Sequence, residues 1–173
     1  MDESQLPVWA RRIDKVNELL AKIISCFTLL MVVLTFLIVV LRYGFNMGWI
    51  AMQESVMYLH AMVFLLGSAH TLKVNEHVRV DIFYRQMSTN KKALVDTVGT
   101  VLLLLPVSLF ILFVSWDYVS ESWGQLESSP EAGGLPLVFA LKTLILLFSL
   151  TMTLQGIAEI ARNITQLRTA STH

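Results

Sequence analysis

Four apolar stretches, each long enough to cross a bilayer as a helix, constrain this chain more than any other feature of its sequence. A hydrocarbon core of roughly 30 Å takes about 20 helical residues, because only internally bonded backbone can cross it. Residues 23–41 form the first such run. Residues 50–72 form the second, interrupted by Gln53, Glu54, His60 and His70. The third, 93–116, carries Asp96 near one end and Pro106, which predicts a kink. The fourth, 137–160, has Lys142 near its start and Glu159 near its end. Together they use about half of the 173 residues and leave no connection able to hold a second domain. The chain is thus expected to be a single all-α integral membrane domain over 1–173. With 55% hydrophobic and only 15% charged residues, it has too little polar surface for a soluble domain of this size.

Lysine and arginine placement sets the expected orientation. Arg11, Arg12, Lys15 and Lys22 precede the first span; Lys73, Arg79, Arg85, Lys91 and Lys92 lie between the second and third; Arg162 and Arg168 follow the fourth. The connection 117–136 holds no base but carries Asp117, Glu121, Glu127 and Glu131. Both termini are therefore expected in the cytoplasm. Tyr43, Trp49, Trp116, Tyr118 and Trp123 fall at the opposite interface, where amphipathic rings prefer to sit. The start mixes acids with bases and leads into a run longer than a signal peptide's, so it reads as an uncleaved anchor. Two short interfacial amphipathic segments are expected. One is 7–20, with Trp9, Ile13, Val16 and Leu20 at helical spacing, expected either to lie on the inner surface or to extend the first span; the other is 77–84.

Polar and small residues recur along the spans. Thr28, Thr35 and Arg42 are seven apart in the first, and Gln53, His60 and Gly67 in the second. In the fourth, Lys142, Ser149, Thr153 and Gly156 lie near one line of the helix. Such rows either pack helices within a bundle or face a partner membrane protein. Arg42 and Glu54, both at the outer boundary of adjacent spans, are expected to pair, since an unpaired charge near hydrocarbon is costly. The single cysteine, Cys26, excludes an internal disulfide. No nucleotide-binding, hydrolase-triad, zinc-ligand or nucleic-acid-binding pattern is present, so the chain is not expected to be an enzyme or to bind nucleic acid. The competing reading is a haem-bearing or structural membrane anchor of a respiratory complex. It is disfavoured because His60 and His70 share one span and cannot converge on one haem. A small self-sufficient exporter is a third possibility, but its usual mid-span acid is missing here.

Several segments carry a resemblance. They are Arg42-Tyr43-Gly44-Phe45-Asn46, then Trp49 and Glu54, then Gly67-Ser68-Ala69, then His77-Val78-Arg79-Val80-Asp81, and later Ser129-Pro130-Glu131, Gly133-Gly134-Leu135-Pro136 and Lys142. In order and spacing they resemble the small membrane subunit, DctQ type, of tripartite ATP-independent periplasmic (TRAP) transporters. Gln53 stands where that family often has a second acid before Glu54. The resemblance implies a multi-pass protein of the cell inner membrane, embedded among membrane lipids. It implies two protein partners, a large elevator-type permease subunit and a periplasmic substrate-binding protein. Uptake of an organic acid would be driven by an ion gradient, usually sodium, used by the large subunit, with no cofactor held by this chain. Arg42, Trp49, Gln53, Glu54, His60, Gly67, Arg79, Asp81 and Lys142 are the candidate structural or partner-interface residues. Glu121, Glu127 and Glu131 are the candidates for docking the binding protein.

Overall fold

The computed structural model describes residues 6–77 and 81–170. Six helices follow in order: α1 (Val8–Phe45), α2 (Ile50–Lys73), a short α3 (Asp81–Tyr84), α4 (Thr89–Gly99), α5 (Leu105–Gln125) and α6 (Val138–Ala170). A π-helical stretch, Thr100–Leu104, joins α4 to α5 without a break, so Thr89–Gln125 is one continuous span. All four expected spans are present as helices long and apolar enough to cross a membrane, and no strand occurs among the described residues.

Each helix exceeds its expected apolar run. At 1.5 Å per residue, the 38 residues of α1 extend about 57 Å, well beyond a roughly 30 Å hydrocarbon core. Of the two arrangements expected for 7–20, the structure has the second: from Val8 onward the segment is the first part of α1. Its apolar row points outward, with Trp9 and Val16 exposed, while Ala10, Asp14 and Asn17 are buried. The connection expected at 117–136 is shorter than it reads, because α5 continues to Gln125. Of the segment 77–84, residues 81–84 form α3, and 78–80 lie outside the described residues.

Local chemistry sets the breaks. Asn46 ends α1 in the left-handed conformation (φ 54°), and the Met47 N–H returns to the Leu41 carbonyl at 2.9 Å. Asparagine enters that conformation more readily than other non-glycine residues. Pro106 has no N–H for the Leu102 carbonyl four residues back, and its ring would crowd that carbonyl. The helix widens just before it: the Leu105 N–H bonds the Thr100 carbonyl, five residues back. The expected kink is thus a π stretch.

The bundle is apolar outside and polar inside. Leu29, Phe36, Leu103, Phe110 and Phe113 are each more than 60% exposed, whereas the most completely buried large side chains are Gln155 and Ser149 of α6. Helix α6 is the central element: it touches α1, α2, α4 and α5, while α1 and α5 share no comparable contact. Gly156 lets α6 approach the π stretch closely; a Cβ there would lie 2.6 Å from Leu104 Cδ2 and 3.3 Å from Thr100 Cγ2. The Thr153 hydroxyl donates to Ser108 Oγ at 2.9 Å. The Ser149–Thr153–Gly156 row is therefore internal packing.

At the end holding both termini, α1 and α6 are joined by a polar clamp. Gln155 accepts from Asn17 Nδ2 at 2.7 Å and donates to Asp14 Oδ1 at 3.0 Å. Arg162 pairs with Asp14 at 2.7 Å and also with Glu159. Beside it, Glu18 sits between Lys22 at 2.9 Å and Lys73 at 3.5 Å, tying in the end of α2. Asp14 is only 4% exposed, so removing its partner strands a buried charge. Asp14→Ala or Arg162→Ala is expected to destabilise the bundle by about 3–5 kcal/mol. Asn17→Ala, which removes one neutral hydrogen bond, should cost about 1 kcal/mol. Equilibrium unfolding in mixed detergent micelles measures this. The uncharged set Asp14→Asn, Glu159→Gln and Arg162→Gln, which strands no member of the clamp as a lone charge, should cost less than either alanine variant.

Candidate partner-binding face and far-end latch

Two of the polar rows converge on the outside of the bundle. Thr28 and Thr35 of α1 and Gln53 and His60 of α2 line one open groove of about 620 Å³, with Met31 and Met57 between them. All four polar side chains are exposed. A seven-residue repeat is close to two helical turns, so each row stays on one side of its helix, and packing α1 against α2 sets the rows side by side. His60 stacks on Phe64, ring centroids 6.2 Å apart. The third members of the rows part company. Gly67 faces inward, where a Cβ would lie 3.3 Å from Ile24 Cδ1, so it allows α1 and α2 to close above the groove. Arg42 stays exposed at the last turn of α1, where a cation suits the helix C-terminus.

The Arg42–Glu54 pair does not form. Glu54 instead accepts from Ser129 Oγ and from the Leu135 N–H at 2.6 Å, fastening the connection between α5 and α6 onto the start of α2. Arg42 pairs with no carboxylate among the described residues. The reason is competition: a loop that folds back delivers a hydroxyl and a main-chain N–H to Glu54, leaving Arg42 exposed. Gly133 turns that loop at φ 82°. Gly134 leaves the space that the latch needs, since a Cβ there would meet Ser129 Cβ at 2.6 Å and Glu54 Oε1 at 2.8 Å.

Lys142 belongs to the same end. It pairs with Glu127 at 2.5 Å and lies 3.9 Å from the centroid of the Tyr118 ring. Glu127 also accepts from Ser122 Oγ at 2.6 Å. The Trp123 indole N–H donates to Thr143 Oγ1 at 2.8 Å, and its ring meets Phe139 edge-on at 4.7 Å. Of the three docking candidates, Glu127 is therefore turned inward, whereas Glu121 and Glu131 are exposed. Trp49 is exposed and precedes α2, its carbonyl accepting the Met52 N–H at 3.2 Å. Arg79 lies outside the described residues; Asp81 begins α3. His77 donates to the Ser68 carbonyl at 3.1 Å, so two of the segments that carry the family resemblance touch.

The hydrogen bond from Lys142, followed by that from Ser122, holds the Glu127 carboxyl below its ordinary value of 4.5. A depressed folded-state pKa contributes stability that is full above the unfolded value and disappears as pH falls through the lower folded one. The far-end latch is therefore expected to be intact at neutral pH and to loosen only below about pH 4.5. Thermal unfolding followed from neutral pH down to strongly acid conditions should show a loss of melting temperature below that point in the wild type. The loss should be visibly smaller in Glu127→Gln, which has no such proton to take up.

Comparison with known proteins agrees with this geometry. Residues 31–166 match the family described as tripartite ATP-independent periplasmic transporters, DctQ component. A TRAP transporter small permease protein of Haemophilus influenzae is 30% identical over 96 residues, 56% of this chain and 60% of that protein. A C4-dicarboxylate TRAP transporter small permease protein DctQ of Vibrio cholerae is 24% identical over 128 residues, 70% of this chain and 55% of that protein. The matched part is thus under two thirds of either relative's length. No solved structure matches. With the family match running from the middle of α1 almost to the end of α6, the chain belongs to the DctQ family of small TRAP transporter permease components.

Proposed function

We propose that this chain is the stationary scaffold subunit of a TRAP transporter. It pairs with a large elevator-type permease through the α1–α2 groove and itself supplies no substrate or ion ligand. In this reading the large subunit uses an ion gradient, usually sodium, to import an organic acid delivered by a periplasmic substrate-binding protein. The chain sits in the inner membrane with both termini cytoplasmic, as its lysine and arginine distribution favours. The observation that carries the reading is the outward exposure of Thr28, Thr35, Gln53 and His60 in one groove at membrane depth. Polar groups facing lipid are costly, and a partner helix that hydrogen-bonds to them removes the cost. At the far end, the exposed carboxylates of Glu121 and Glu131 remain for the binding protein, while Glu127 serves the latch.

Filling the groove tests this directly. Thr28→Trp with His60→Trp places two bulky rings at exposed positions that the bundle itself does not pack against. Co-purification of the large permease is expected to fall at least about tenfold, an interface loss of about 1.4 kcal/mol or more. Binding-protein-dependent uptake in proteoliposomes should fall with it. Phe113→Trp, at a 72% exposed site on α5, should leave both unchanged. Undiminished co-purification in the groove variant would contradict the assignment.

A further inference from the structure

A second hollow, of about 780 Å³, is bounded by other elements: the end of α2, the α4–α5 span and α6. Its volume lies within the roughly 300–1,000 Å³ of ligand-binding pockets. Its walls are graded along the bundle axis. The half farther from the termini is mainly apolar, with the exposed Leu103 and Val107 at its outer edge, Ile111, Phe148 and Met152 further in, and the Ser108 hydroxyl among them. The end nearest the termini is polar, with His77, Tyr84, Asp96 and Asn163. Phe148 and Asn163 are fifteen positions apart on one helix, as are Asp96 and Ile111 on another, so the hollow runs about 22 Å along the bundle at 1.5 Å per residue. That is half of a bilayer of roughly 40–45 Å counted with its headgroup regions. The hollow is therefore about as long as one leaflet is thick.

Its shape is built in by two features. The π stretch Thr100–Leu104 contributes Thr100, Leu103 and Leu104 to the wall, where the widened turn departs from regular α-helix. Gly99 leaves its part of the wall without a side chain, and a Cβ there would meet nothing within 4 Å. Along the half farther from the termini, Ile111, Phe148 and Met152 offer a water molecule no polar partner, and the Ser108 hydroxyl among them is already engaged by Thr153. At the mouth, the Lys92 ammonium lies 5.2 Å from the centroid of the Tyr84 ring that helps to line the hollow. The two acids of the lining have partners in the chain itself. Asp96 accepts from the Tyr84 hydroxyl at 2.6 Å, and Glu159 is held by Gln155 and Arg162.

We propose that this hollow binds one glycerophospholipid of the leaflet on the terminal side. An acyl chain lies along Val107, Phe148 and Met152, and the phosphate rests at Lys92. The length of one leaflet, the apolar inner wall and the lysine beside the mouth, which stands next to Tyr84 and outside the wall itself, are the three properties that such a molecule matches. The inference requires the bundle to lie in a membrane, but not that the α1–α2 groove holds the permease.

Photo-crosslinking distinguishes the possibilities. The full chain is reconstituted in vesicles of phosphatidylethanolamine and phosphatidylglycerol, with a trace of phosphatidylglycerol bearing a mid-chain diazirine. Samples are illuminated with and without the large permease subunit, and labelled residues are mapped by mass spectrometry. Labelling of Phe148 and Met152, which are far less exposed than Leu29 and Phe36 of α1, is expected to exceed that of those two several-fold, with or without the permease. Gly99→Leu, which fills the hollow from a helical backbone position, should abolish the excess while leaving the α1 labelling and the melting temperature intact. Lys92→Glu should reduce the excess several-fold. Even labelling of all outward faces would mean ordinary surrounding lipid and would overturn the site. So would an excess that survives Gly99→Leu. Loss of the excess only when the permease is present would make the hollow a helix-docking groove instead, and an unchanged Lys92→Glu variant would refute the phosphate contact.

Discussion

Gln155 is fully buried, and most of the terminal half of the bundle is arranged around its amide. Its oxygen takes the Asn17 amide and its nitrogen serves both Asp14 and Glu159, while Arg162 pairs with both carboxylates. Apolar burial gives little drive for helices to associate in lipid, since the tails are as apolar as leucine. Close packing and polar bonds must do it instead. Here α6 supplies both: Gly156 for close approach to the π stretch, Ser149 and Thr153 for hydroxyl contacts, and Gln155 and Arg162 for the clamp to α1. The same logic operates at the other end, where Glu54 and Glu127 fasten one loop to α2 and α6.

Once inward polar groups are assigned to these two fastenings, the remaining ones stand out. Among the described residues, Thr28, Thr35, Gln53 and His60 bond no neighbouring helix, yet they lie in spans whose outward side chains are mostly apolar. The polar inventory thus divides into groups that hold the subunit together and groups that the subunit alone does not use. A scaffold that must present a fixed face to a larger, moving partner needs this division.

Much of this was legible in the sequence, for physical reasons. A span needs about 20 apolar residues, so run lengths reveal the four helices, and Pro106 marks the irregularity in the third. The ends were misjudged because amphipathic extensions such as 8–22 and 117–125 carry charges that a hydropathy reading treats as loop. The seven-residue rows were visible, but periodicity does not say which side of a helix is covered. Sequence alone could not separate the row of α6, which turned inward, from those of α1 and α2, which stayed partly outside. Arg42 and Glu54 were paired on depth, and the error lay in ignoring the loop 126–137, eighty residues further on, which brings Ser129 and Leu135 to Glu54. The clamp was missed for a related reason. Asp14 and Asn17 sit about 140 residues from Gln155, and in a stretch that also carries Arg11, Arg12, Lys15, Glu18 and Lys22 nothing local marks these two as the buried ones.

The central claim is that the α1–α2 groove is covered in the assembled transporter. Spin labels placed singly at Thr28, Thr35, Gln53 and His60, in a Cys26→Ala background, report collision with oxygen dissolved in the bilayer. In the isolated chain all four should be accessible, as should a reference label at Phe113. On assembly with the large permease, accessibility should drop at the four groove positions and stay unchanged at Phe113. Groove labels that remain as accessible in the complex as in the isolated chain would show that the partner binds elsewhere.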